Sequence, residues 1–184
     1  FSQDGSLMII NDRDNITGVF DVIYEYTLTT PWSVNTAVGP NSSFYVGTQE
    51  TIPYGISLTG AGTTLYVVGD SQDRIFQYNL TTPFDIRTST YTSKTLITTG
   101  ETFLTNVYIK PDGTQIFTIG SSSDTVRTYN LSTPYDVSTG TASVTFAVGT
   151  QENLPSGLTF KPDGTSMYVV GDQKQIVYQY TLSS

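Results

Sequence analysis

Carboxylates are the main reactive groups of this sequence. There are 16 Asp and Glu against 8 Lys and Arg, a formal net charge of −8, and neither histidine nor cysteine in 184 residues. A thiolate nucleophile, a Ser-His-Asp triad and a Cys/His zinc site are therefore excluded. What carboxylates can do alone is narrower: bind a hard cation such as Ca²⁺ through oxygens, or share general-acid and general-base work as a pair. The candidates are Glu50, Glu101 and Glu152, spaced by 51 residues, with Asp12, Asp14, Asp70, Asp73, Asp124 and Asp172. None shows the Asp-x-Asp-x-Asp-Gly spacing of a helix-flanked calcium loop. A chain with so few bases is a poor partner for nucleic acid, where phosphate neutralisation needs clustered Lys and Arg. No apolar run reaches the ~20 residues of a membrane-spanning helix.

The elements that carry these acids come from an internal repeat. Gly157-Leu-Thr-Phe-Lys-Pro-Asp-Gly-Thr-Ser-Met-Tyr-Val-Val-Gly171 matches Asn106-Val-Tyr-Ile-Lys-Pro-Asp-Gly-Thr-Gln-Ile-Phe-Thr-Ile-Gly120, and both match Gly55–Gly69. The turn glycines Gly62, Gly113 and Gly164 keep the same 51-residue period. Tyr78-Asn-Leu-Thr-Thr-Pro-Phe-Asp85 and Tyr129-Asn-Leu-Ser-Thr-Pro-Tyr-Asp136 form a second block, foreshadowed by Tyr26-Thr-Leu-Thr-Thr-Pro-Trp32 and echoed by Tyr180-Thr-Leu. The units run over residues 1–50, 51–101, 102–152 and 153–184, the last incomplete.

Each unit holds four runs rich in Val, Ile, Phe, Tyr and Thr, at about 105–110, 115–119, 125–131 and 143–148 in the third unit. Lys-Pro-Asp-Gly fixes φ at Pro and offers Gly for a left-handed position, so it reads as a tight hairpin turn. Tyr26, Tyr78, Tyr129 and Tyr180 make one column of the third strand. Leu28, Leu80, Leu131 and Leu182 follow two residues on, on the same face. Four short strands per unit, repeated, predict an all-β propeller of about 3.6 blades. With the inner strand running from top to bottom, the candidate acids gather on the loops of the top face, where they form a solvated acidic rim.

The run Lys161-Pro-Asp-Gly-Thr-Ser-Met-Tyr-Val-Val-Gly171 followed by Tyr180-Thr-Leu-Ser resembles YVTN/lactonase-like propeller repeats. It is more similar still to the PDGT-MYVVG-YQYTLSTPYDV repeats of marine bacterial and phage structural proteins. The resemblance implies a propeller over nearly the whole chain. Some lactonase-type propellers hold an axial Ca²⁺ with Glu, Asn and Asp. Here Asn106 alone stands at the start of an inner strand, with Gly55 and Gly157 at the equivalent places.

The expectation is a non-enzymatic structural or binding propeller without a cofactor, displayed outside the cell or on a virion and contacting proteins or glycans through its loops. The alternative is a Ca²⁺-dependent lactonase-like hydrolase working on the acidic face. Two departures from the repeat bear on assembly. The first unit lacks an innermost strand and the last an outermost one, which predicts completion by flanking repeats or by copies of the chain in an oligomer, filament or larger ring. The spacing Gly5 to Gly62 exceeds the period by six residues, an insertion around Asn11–Asp21.

Overall fold

In the computed structural model, residues 1–12 and 21–182 are described. They form four antiparallel sheets in sequence order. The first holds β1 (Leu7–Asp12), β2 (Val22–Leu28) and β3 (Ala37–Tyr45). The second holds β4 (Pro53–Leu58), β5 (Thr64–Gly69), β6 (Arg74–Leu80) and β7 (Ser89–Ile97). The third repeats this with β8 (Leu104–Ile109), β9 (Gln115–Gly120), β10 (Thr125–Leu131) and β11 (Gly140–Ala147). The fourth has β12 (Pro155–Phe160), β13 (Ser166–Gly171) and β14 (Tyr178–Thr181). The fold is the all-β propeller type that the repeat predicts. The expected run at 143–148 is the one that differs: β11 begins at Gly140, because a 3-10 turn at Val137–Thr139 leads straight into it.

The hairpin turns form for the reason their residues give. Gly113 and Gly164 take φ of 71° and 73°, which a side chain disfavours. The Gly113 N–H donates to the Lys110 carbonyl at 2.8 Å. Asp112 accepts from the Thr114 N–H and hydroxyl at 3.0 and 2.6 Å, and Lys110 Nζ lies 2.8 Å from its other oxygen. These bonds, led by Lys110 and Thr114, hold the Asp112 carboxyl down to about 2.

Alternation along each strand sends side chains to both faces of a sheet, and the facing sides of consecutive sheets pack together. Leu65, Val67, Phe76 and Tyr78 join Ile23 and Val46 between the first and second sheets. Tyr66, Val68 and Ile75 join Leu104, Val107 and Ile116 between the second and third. Ile119 and Val126 join Leu158, Met167 and Val169 between the third and fourth. The Tyr and Leu columns of the third strand are buried or half-buried in these layers, which makes them packing residues. The sheets thus pack consecutively. Among the described residues the first and fourth share no extensive contact.

Two close approaches matter later. A Cβ on Gly55 would sit 2.7 Å from Asn106 Cα and 2.9 Å from the Thr105 carbonyl, so inner strands β4 and β8 nearly touch. The 3-10 turns following the third strands, Ile86–Thr88 and Val137–Thr139, plug onto the preceding sheet, and Ile86 and Val137 are 0% exposed. Val34, in the matching turn of the first sheet, packs extensively on no other sheet among the described residues and is 59% exposed. Val137→Ala should therefore cost about 2 kcal/mol in urea unfolding, and Val34→Ala under about 0.5 kcal/mol. Equal effects would contradict this packing.

Candidate functional site

The three recurring glutamates come first, because the structure puts them elsewhere than on a solvated rim. Glu50, Glu101 and Glu152 are 0–1% exposed. Each lies in the loop entering an inner strand and reaches the loop between the second and third strands of the same sheet. Glu101 Oε1 accepts from the Phe103 and Ser122 N–H groups at 2.9 and 3.1 Å, and from the Ser122 hydroxyl. Its Oε2 accepts from the Ser123 N–H and hydroxyl at 3.2 and 2.6 Å. Glu152 accepts from the N–H groups of Leu154, Gln173 and Lys174 at 3.0, 3.3 and 2.9 Å. Glu50 accepts from the Ile52 and Ser71 N–H groups at 2.9 and 3.0 Å and from the Ser71 hydroxyl. Burial alone would raise the Glu101 carboxyl, but the serine and backbone hydrogen bonds outweigh it and the pKa falls. Burial opposes it at Glu152 too, but there the backbone N–H groups of Lys174, Leu154 and Gln173, with the Lys174 charge, lower the pKa. These acids are latches between loops.

The aspartates divide. Asp12 is buried at the end of β1, and Asp14 lies outside the described residues. Asp70 and Asp73 are half-buried in the loop after β5. Asp73 and Asp124 take left-handed φ of 50° and 51°, and their carbonyls accept from the Thr98 and Val148 N–H groups at 2.9 and 2.8 Å. The Asp124 carboxyl is raised, by burial first and then by the charges of Glu101 and Glu152. Among the described residues no three acids gather as a metal-holding group.

Asp172 is the exposed acid that borders a cavity. A hollow of 370 Å³ opens at the top of the inner strands of the second, third and fourth sheets. Tyr54 and Phe103 form an aromatic wall, their ring centroids 4.8 Å apart. Thr105, Ser121, Leu154, Pro155 and Ser156 line the rest, and the Ser156 hydroxyl donates to Asp172 Oδ1 at 3.3 Å. The Asp172 backbone N–H is fixed to the Leu154 carbonyl at 3.0 Å, which anchors the carboxylate at the cavity mouth. Thr105 is spent on structure: its hydroxyl donates to the Pro155 carbonyl at 2.9 Å and ties the third sheet to the fourth.

Sequence reasoning singled out Asp172 and missed its companions. A signal for them exists. Tyr54, Thr105 and Ser156 occupy one position of the repeat, and Asp70, Ser121 and Asp172 another. Residue type varies between the otherwise similar units at both of these places beside the cavity.

No family model matches the chain, and no curated protein matches it. Solved structures do. Two are each named "putative 6-phosphogluconolactonase", from Bacteroides uniformis (11% identity, TM-score 0.65) and Bacteroides fragilis (14%, 0.64). Both cover 99% of this chain, which spans 52% and 49% of theirs. A functionally unknown protein from Desulfotomaculum acetoxidans matches over 97% of the chain at 14% identity and a TM-score of 0.61. The chain thus has the fold of lactonase-like propellers and spans about half the length of these structures. The expectation of a non-enzymatic structural or binding propeller is corrected here. The finding against it is that the first two structures sharing the fold are both named as 6-phosphogluconolactonases.

Proposed function

We propose that this chain is part of a lactonase-like propeller hydrolase acting on small polyhydroxylated lactones. The observation that carries the reading is the top cavity, where the Asp172 carboxylate stands beside the Ser156 hydroxyl and an aromatic wall. Aromatic faces suit the C–H side of a sugar ring, and hydroxyls suit its O–H groups. Asp172 serves as general base. It takes a proton from a water whose oxygen bonds to the lactone carbonyl carbon. The ring C–O bond then breaks, and the proton passes from Asp172 to the departing oxygen, giving the open hydroxy acid. The lining residues include Asp172 and neither Lys nor Arg, so the cavity favours neutral sugar lactones over phosphorylated ones.

The test is pH-stat hydrolysis of gluconolactone and its 6-phosphate against the spontaneous rate. Asp172→Asn should lower the catalysed rate at least ~100-fold, and Ser156→Ala should lower it only a few-fold. A wild-type rate equal to the spontaneous one sinks the proposal, as does an unaffected Asp172→Asn variant.

A further inference from the structure

A groove of 490 Å³ lies away from the top cavity, between the third and fourth sheets. The two other inter-sheet gaps show what belongs there. Between the second and third sheets, the Tyr135 ring covers Gly113 and its hydroxyl donates to the Pro111 carbonyl at 2.6 Å. The Tyr66 hydroxyl donates to the Tyr135 carbonyl at 2.9 Å. Val137 inserts fully, and its N–H donates to Gln77 Oε1 at 3.0 Å. Between the first and second sheets, Phe84 covers Gly62, Ile86 inserts fully, and its N–H donates to Glu25 Oε2 at 3.4 Å. In both gaps the plug is Thr-Pro-aromatic-Asp-(Ile/Val), residues 82–86 and 133–137.

Among the described residues the third gap has the socket without the plug. A Cβ on Gly164 would meet nothing within 4 Å, where Gly62 and Gly113 are each capped by a ring. The groove beside it is lined by Phe117, Val126 and Thr128, which stand in register with Tyr66, Ile75 and Gln77 of the filled socket. Phe146 and Val144 form its rim and are 46% and 67% exposed.

We infer that this groove is a docking site for one further Thr-Pro-aromatic-Asp-(Ile/Val) segment, the fourth unit's counterpart of residues 133–137. Its aromatic ring caps Gly164, and its β-branched residue fills the space against Phe117 and Val126. Polypeptide continuing beyond such a plug runs alongside β14, as β11 runs beside β10.

The probe is a labelled synthetic peptide with the sequence of residues 131–147, titrated into the 184-residue chain and followed by fluorescence anisotropy. Saturable 1:1 binding is expected, and the peptide carrying Val137→Asp should bind at least ~10-fold more weakly, since it would bury an unpaired charge. On the chain, Val144→Glu alters only the exposed rim and should weaken binding without unfolding, as circular dichroism would verify. Thr128→Gln restores the acceptor that Gln77 supplies and should tighten binding. Absence of saturable binding overturns the inference, as does equal binding of the Val137→Asp peptide. Self-association of the chain that the peptide fails to displace overturns it too, by assigning the groove to a second copy.

Discussion

Glu101→Ala should unfold at a temperature about 10 °C below the parent, a loss of about 3–5 kcal/mol. The carboxylate is 1% exposed and accepts from three backbone N–H groups and two serine hydroxyls. Alanine leaves the amides of half-buried Phe103 and Ser123, and that of Ser122, without their acceptor, and unmet donors cost more than a met bond gains. Glu101→Gln keeps the shape with one accepting oxygen and should fall between. The pH dependence has a definite sign. The folded pKa lies below the unfolded one, so the stabilisation is complete above the unfolded value, about 4.3, and disappears as pH falls through the lower folded value. Parent and Glu101→Ala should thus converge in acid. Denaturant titrations at pH 7 and pH 3 check both points, and an unchanged difference at pH 3 would contradict the ionised latch.

The second large effect belongs to Gly120→Ala. A Cβ there would overlap the Phe103 carbonyl and the Glu101 carboxylate, neither a flexible side-chain tip free to move. A loss of about 2–3 kcal/mol is expected, with Glu101 hydrogen bonding disturbed at the same time. Gly60→Ala is the control, because its Cβ would find only Gln3, at 3.4 Å. Similar midpoints for the two variants in urea would refute the overlap. The same position explains a residue in the first unit. Gly69, Gly120 and Gly171 each face an inner-strand entry and a latch glutamate, whereas the first sheet has three strands and there Asp12 replaces the glycine.

How far this molecule could be read from its residues depended on periodicity. Strands, turns and their grouping into four-stranded units follow from alternation and from Pro-Asp-Gly, because both act over a few neighbouring residues. Glu50, Glu101 and Glu152 were legible as important and illegible as buried. Their partners lie about 21 residues downstream, in loops whose folded position only the sheet fixes. Residue type alone put them on a wet acidic face. Asp172 was found as an acid, yet its meaning comes from Tyr54, Phe103 and Ser156, which converge on it at the entries of three separate inner strands. The groove by Gly164 was invisible for another reason: a gap exists only in relation to the two filled sockets beside it.

The near-contact of β4 with β8 at Gly55 bears on how such molecules diversify. Where two spokes of a wheel meet at the hub, their spacing governs the wedge each one subtends. At the matching place on β12, Gly157 would offer a Cβ only the side chain of Val170. At the joint of the second and third sheets the spacing therefore rests on one small residue at the hub, Gly55. A bulkier residue at one such joint would widen one wedge and change how many wedges make a full circle, with every blade left intact.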